Sequence, residues 1–265
     1  MTNQSSRAQE FHRLHVPGDP LVIFNVWDAG SARAVAAAGA LAIGTGSWSV
    51  AAAHGFPDGE KLPLDLAIAN LERIVRAVDL PVSIDLEAGY GARPEDVDRS
   101  VTRAVRAGAV GINLEDGMAE ETGIYGIDDQ VARIRAARAA ADRLSVPLFI
   151  NARTDFFLQA KPEGHDPALV RAVRERAAAY ADAGASGFFV PGIFKPEQIR
   201  DVCSASTLPV NVMMMPSLPP LPELAQLGVA RISHGPGPYR AAMKFIEQAA
   251  REAIQGTRSS TSGPS

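Results

Sequence analysis

Four times along this chain a glycine ends an alanine-rich, charge-bearing stretch and an apolar run begins at once. The joint reads "AAAGALAIGTGS" over 36–47, "VRAGAVGINLED" over 105–116 and "ADAGASGFFVPG" over 181–192, with a weaker copy, "AQLGVARISHG", over 225–235. Gly39, Gly108 and Gly184 suit helix C-caps, where the backbone must turn left-handed and a side chain would be strained. A helix that ends on such a glycine and feeds a strand, repeated, gives strict strand–helix alternation. That alternation dictates parallel strands.

Eight apolar runs are candidate strands: 21–28, 40–47, 81–87, 109–116, 147–155, 187–192, 209–215 and 229–235. Helical stretches fall near 30–38, 64–78, 94–107, 128–144, 167–183, 196–205, 221–227 and 238–255, and Pro94 and Pro196 suit a first helical turn. Eight units within 265 residues match a (β/α)8 TIM barrel in number and size. A doubly wound open sheet is the alternative, but it opens on a glycine-rich phosphate loop, and "NVWDAGSARA" after the first run has no GxGxxG. No linker-like stretch interrupts the pattern. The expectation is a single barrel domain over 1–255 and a disordered polar tail over 256–265.

The balance of residues narrows the function classes. A net charge of −4, with Lys and Arg spread along the chain, carries no nucleic-acid signature. No apolar run reaches the roughly 18 residues of a membrane span, and "MTNQSSRAQEF" has no signal-peptide core. Cys203 is the single cysteine, which excludes an internal disulfide and a cysteine-rich metal site. A cytoplasmic protein without membrane or nucleic-acid partners is the default.

In a barrel the active site lies at the C-terminal strand ends. Those ends carry Trp27–Asp28, Thr45–Ser47, Asp85–Glu87, Asn113–Glu115–Asp116, Asn151–Arg153–Asp155, Asn211 and Ser233–His234. Within "VSIDLEAGYG" (82–91), Asp85 and Glu87 alternate with Val82, Ile84 and Leu86, so on a strand both acids share one face. Glu115 comes from the adjacent strand. Three converging carboxylates repel unless something neutralises them. Oxygen donors without His or Cys suit Mg²⁺, or Mn²⁺, with some acids acting through water. Pairing with Arg153, whose fixed fork also suits a substrate carboxylate, is the other reading, and both can hold together.

"TGSWSVAAAHGFPDGE" (45–60), "VSIDLEAGYG" (82–91), "VGINLEDG" (110–117) and "INARTD" (150–155) together resemble the isocitrate lyase/phosphoenolpyruvate mutase superfamily, in order and spacing, from about residue 20 to 245. The resemblance implies a (β/α)8 barrel, a homo-oligomer (dimer or tetramer) whose last helix is exchanged between paired subunits, and Mg²⁺ with a small 2-oxo acid or its enolate. It implies that Asp85 contacts the metal directly. Glu87, where the family usually has Asp, would hold a metal water, and Glu115 would belong to the metal shell and the catalytic set. Asp58 would lie near the metal and its waters, and Arg153 would grip the substrate. Gly46, Ser47 and Trp48 would bind the acid's carboxylate largely through backbone N–H groups. Asn211 would contribute a further substrate contact.

The departures from the family matter as much. The loop "GMAEETGIYGIDD" (117–129) lacks the lyases' Lys-Cys-Gly-His run and the mutase's Lys and Asn. Glu120, Glu121 and Tyr125 are the proton carriers it offers. In "NVMMM" (211–215), Met213 and Met215 stand where the lyases place hydroxyls, and Gly192 stands where they usually carry a glutamate. Cys203 reads as helix packing, and His54 and His234 as ordinary surface or core residues. The expectation is a Mg²⁺-dependent carbon–carbon lyase of a small 2-oxo or 2-hydroxy acid, oxaloacetate decarboxylase-like. Enolate stabilisation and a late protonation suffice for that reaction without the missing cysteine. The alternatives are P–C bond chemistry, of the phosphonopyruvate hydrolase or phosphoenolpyruvate mutase kind, and a non-catalytic ligand-binding barrel.

Overall fold

The computed structural model describes residues 3–119 and 123–259. Eight short strands form one parallel sheet: β1 (Leu21–Ile23), β2 (Ile43–Gly44), β3 (Val82–Asp85), β4 (Gly111–Glu115), β5 (Phe149–Arg153), β6 (Gly187–Phe189), β7 (Val210–Met213) and β8 (Arg231–Ser233). The strand order β1-β8-β7-β6-β5-β4-β3-β2 places each beside its sequence neighbours and brings the first back to the last. β1 and β2 share no ladder. A parallel bridge between Val26 and Thr45 closes the ring there, with the Val26 N–H donating to the Gly44 carbonyl at 2.9 Å. The expected (β/α)8 barrel is the observed fold.

The helices are α1 (Asn3–Arg13), α2 (Ala29–Ala37), α3 (Ser47–Ala53), α4 (Leu64–Ala77), α5 (Pro94–Arg106), α6 (Ile127–Arg143), α7 (Phe156–Gln159), α8 (Pro167–Asp182), α9 (Pro196–Ala205), α10 (Leu221–Gln226) and α11 (Gly237–Ser259). Gly39, Gly108, Gly184 and Gly228 all turn left-handed, with φ of +91°, +103°, +97° and +90°, as the repeated joint predicts. α1, α3 and α7 are additions that the alternation does not announce. The strands are shorter than the apolar runs, because pairing stops where the chain bends off toward its next helix.

Strand alternation divides the residues into two shells. The outward row, Ile84, Ile112, Ile150, Phe188, Val212 and Ile232, is buried beneath the helices. Burying each such side chain is worth about 1.5–3 kcal/mol. The inward row carries the polar set. α1 plugs the N-terminal end of the barrel: Phe11 is fully buried, its ring 5.4 Å from Phe149, and a Cβ on Gly111 would stand 2.6 Å from it. The polar set is therefore reached from the C-terminal end.

The outer shell has a gap beside β1. Val22, Phe24 and Leu41 are exposed, on an apolar cavity of about 630 Å³ that Pro20, Val35 and Ala38 also line. α11 does not fill it, and its own Phe245, Ile246 and Ile254 face solvent. The tail expected from 256 falls partly within α11, which runs to Ser259, and partly at 260–265, outside the described residues. Among the described residues no helix is long and apolar enough to cross a membrane.

Candidate active site

Asp85 ends β3 at the mouth of the barrel. Its Oδ2 accepts the Ser47 N–H, the first of α3, at 3.1 Å. Its Oδ1 is buried and has no hydrogen-bond partner among the described residues. A buried carboxylate oxygen without a donor is costly, and a bound cation is one group that would compensate it.

Glu87 does not share Asp85's strand face. β3 stops at Asp85, and Glu87 has φ of +51°, a left-handed turn that few side chains adopt. Its Oε2 accepts the backbone N–H groups of Gly59 and Glu60 at 2.8 and 2.7 Å, so Glu87 fastens the loop that carries Asp58. Burial raises its pKa to about 8, with Asp58 and Asp85 adding repulsion. Asp58 is raised as well, chiefly by burial and then by Asp85.

Glu115 takes the alternative that the sequence left open. Its Oε2 lies 2.7 Å from Arg153 Nη1. Arg153 also donates from Nε and Nη2 to the two oxygens of Asp155, at 2.6 and 3.0 Å. Burial works against the guanidinium's charge, but Glu115, Asp155 and Asp85 outweigh it and hold it protonated. Of its five N–H donors three are used, leaving one on each Nη for a ligand. Among the described residues no three His, Cys, Asp or Glu side chains come close enough together to ligate one ion. Direct ligation by Asp85, Glu87 and Glu115 together is therefore not what the chain builds. Glu87 is engaged by a loop and Glu115 by Arg153. What it builds is one buried carboxylate with an open oxygen, ringed by acids that repel one another. Mg²⁺ keeps several waters and takes one or two carboxylates, so this set fits it; Asp85 would be the direct ligand and the other acids could act only through water.

A cavity of about 180 Å³ lies over Asp85. Asn25, Ser47, Asp58, Asp85, Asn113, Arg153 and Ser233 line it with polar groups, and Trp48, Leu158, Phe189, Met213 and Pro236 with apolar ones. Arg153 is the only cation among the lining residues. Gly46, Ser47 and Trp48 line it, and the Ser47 N–H is turned to Asp85 rather than left for a ligand. Asn211 is not among the lining residues. Its amide is buried and donates to Ser233 Oγ at 3.1 Å. Met213 reaches the cavity because Gly235 has no side chain: a Cβ there would stand 2.8 Å from Met213 Sδ.

Asn25 is the residue that sequence reasoning missed. It lines the cavity, donates to the Thr45 carbonyl at 2.9 Å and accepts the Gly235 N–H at 2.8 Å, tying three strand ends together. The period-two continuation of Leu21 and Ile23 was its signal. Asp28, read as a strand end, caps α2 instead, accepting the Ser31 N–H at 2.7 Å. Tyr125 lies outside the cavity, its ring 4.2 Å beneath Arg133, and Glu120 and Glu121 lie outside the described residues. His54 bonds through Nδ1 to the Val50 carbonyl, and His234 packs its ring against Phe24. Burial pushes the Cys203 thiol up to about 12, so on α9 it packs rather than reacts.

Comparison with known proteins gives the family. The profile of the phosphoenolpyruvate phosphomutase family matches residues 11–254. A crystal structure from Burkholderia cenocepacia J2315, of a protein provisionally named a phosphonomutase, is 55% identical, with a TM-score of 0.91, over 96% of this chain and 99% of that one. An uncharacterized protein of Mycobacterium tuberculosis H37Rv is 36% identical over 96% of this chain and 92% of its own length. The oxaloacetate decarboxylase of Pseudomonas fluorescens SBW25 is 31% identical over 97% of this chain and 88% of its own.

Proposed function

The chain belongs to the phosphoenolpyruvate phosphomutase family, within the isocitrate lyase/phosphoenolpyruvate mutase superfamily, and on that premise we propose that it is a Mg²⁺-dependent carbon–carbon lyase. Its substrate is a small 2-oxo acid of the oxaloacetate type, which leaves as CO₂ and a pyruvate-like enolate. The observation that carries this is one cavity lined by both the unpartnered buried oxygen of Asp85 and the guanidinium of Arg153, which keeps two donors free of Glu115 and Asp155.

Arg153's two remaining N–H donors suit the 1-carboxylate. Asp85, with Asp58 and Glu87 through water, would hold Mg²⁺, or Mn²⁺, beside the 2-oxo oxygen. The metal supplies electrostatic stabilisation of the negative charge that develops there. The C3–C4 bond then breaks, its electron pair staying as the enolate, which a proton later quenches. Trp48, Met213, Phe189 and Leu158 also line the cavity, and a leaving carboxylate set against them would lose hydration, which favours neutral CO₂. The likeness to oxaloacetate decarboxylase of P. fluorescens supports the same reading.

The test is to incubate the protein with Mg²⁺ and, separately, oxaloacetate, phosphonopyruvate and 2-methylisocitrate, and to assay pyruvate. Oxaloacetate should give pyruvate above its metal-only rate. Pyruvate from phosphonopyruvate alone would move the protein to P–C chemistry, and pyruvate from none would overturn the assignment.

We also infer that the chain is a homo-oligomer in which α11 of one subunit fills the groove beside β1 of another. The exposed apolar face of α11 and the uncovered Val22, Phe24 and Leu41 support this. Phe245 is 73% exposed within a single chain. Phe245→Asp is expected to weaken association by ~10- to 100-fold, since a buried Phe is worth about 1.5–3 kcal/mol. Light scattering across a dilution series would show it as a shift to monomer.

A further inference from the structure

We propose that Tyr180 and Arg176, on the outer helix α8, are positioning residues for the substrate-gripping Arg153. This rests on the reading of Arg153 as the carboxylate anchor. Arg153's Nε–Nη2 edge is set by Asp155, at 2.6 and 3.0 Å. Asp155 is in turn set by Asp116, whose Oδ1 accepts the Asp155 N–H at 2.9 Å. Asp116 is fully buried, and α8 satisfies its other oxygen: Tyr180 Oη donates to Oδ2 at 2.7 Å and Arg176 Nη1 at 3.1 Å. Arg176 also donates to the Tyr125 carbonyl at 2.8 Å, while the Tyr125 N–H donates to the Asp116 carbonyl at 2.8 Å. The ends of β4 and β5 and the returning end of the intervening loop thus meet on one buried residue, Asp116, through its carboxylate and its main-chain carbonyl.

The other side of Asp155 is fixed by bulk. A Cβ on Gly117 would stand 2.7 Å from Asp155 Oδ2, although an ordinary side chain suits the backbone there, Gly117 not being among the positive-φ glycines. The Asp155 carboxylate is therefore held between Gly117 and its own hydrogen-bonded N–H, with Arg153 on its open edge. None of Tyr180, Arg176 and Asp116 lines the cavity. They act by fixing which of Arg153's donors are left to face it. A buried network in which every member is satisfied rigidifies what it holds.

Two variants test this. Gly117→Ala pushes directly on Asp155; Tyr180→Phe removes one donor from Asp116 and keeps the ring. The probe is oxalate with Mg²⁺, titrated by calorimetry, beside Mg²⁺ titrated alone. Oxalate affinity should fall at least 10-fold in Gly117→Ala and about threefold in Tyr180→Phe. Mg²⁺ affinity should stay within twofold, and KM should rise more than kcat falls. A merely structural role would lower thermal stability and leave that split unmoved. Crystal structures of the variants report independently whether Arg153 has left Asp155. Oxalate that binds neither parent nor variants would remove the anchor reading while the Arg153–Asp155 geometry still decides the positioning. Parent-like oxalate affinity in a folded Gly117→Ala protein, or an unmoved Arg153 in both variants, overturns the proposal.

Discussion

Asp85→Asn is expected to lower kcat/KM for the Mg²⁺-dependent reaction by ~10³-fold or more and to raise the melting temperature of the metal-free protein. The two effects share one cause. Asp85 presents a buried oxygen that no donor among the described residues satisfies, and its charge adds to the repulsion on Asp58 and Glu87. An amide keeps an acceptor for the Ser47 N–H, so the start of α3 stays in place. It discards the charge that would hold the metal, and a metal's stabilisation of developing negative charge is worth several kcal/mol, about 1.4 kcal/mol per tenfold in rate. Without metal that same charge is a liability. Relief of about 1–2 kcal/mol of repulsion would raise the melting point by a few degrees in a chain of this size. The measurements are initial rates with saturating Mg²⁺ and thermal melts in EDTA. Undiminished activity would remove Asp85 from the metal site. A lower melting point would show that repulsion is not what the site stores.

What the sequence could and could not reveal here follows from where pairing ends. The repeated glycine joint requires a left-handed turn at each recurrence, so strand count, order and parallel sense were readable from it. Asp85, Asn113, Glu115 and Arg153 were readable because they continue the inward period of strands long enough to show it. Glu87 was not. In the sequence it continues the alternation of Val82–Asp85, but the ladder stops at Asp85 and the chain turns left-handed, which moves the acid into another loop's hydrogen bonds. Asn25 was lost at the opposite boundary, where the first run was carried to Asp28 while regular pairing stops at Ile23. α3 is seven residues long and opens with no side-chain cap, so no signal separated it from the strand before it. Asp116 looked like one more charge at a strand end. Its role is fixed by Arg176 and Tyr180, sixty and more residues later, which no local pattern connects.

The second large effect is on stability. Glu87 is 4% exposed, and its pKa is raised to about 8 from the usual 4.5, by burial first and then by Asp58 and Asp85. Below 4.5 the folded and unfolded chains both carry the proton, and Glu87 contributes no pH dependence. Between 4.5 and about 8 the folded chain keeps a proton that the unfolded chain has released, so unfolding free energy falls as pH rises. Above about 8 the loss is complete, and the size of the shift puts it at several kcal/mol. Metal-free protein should therefore unfold at lower urea at pH 8.5 than at pH 6, about 1–2 M lower, since the part of the loss that falls between those pH values is about 2–3 kcal/mol. Glu87→Gln should flatten that dependence, since an amide can still accept from Gly59 and Glu60 without a charge to bury. Mg²⁺ should flatten it too. A cation among these acids favours their ionised forms, so its binding releases the proton, and its protection should grow with pH. Urea titrations in EDTA and in Mg²⁺ across this range separate the terms. Equal slopes for parent and Glu87→Gln would mean that the proton is held elsewhere in the acid cluster. A slope unchanged by Mg²⁺ would mean that the ion does not enter it.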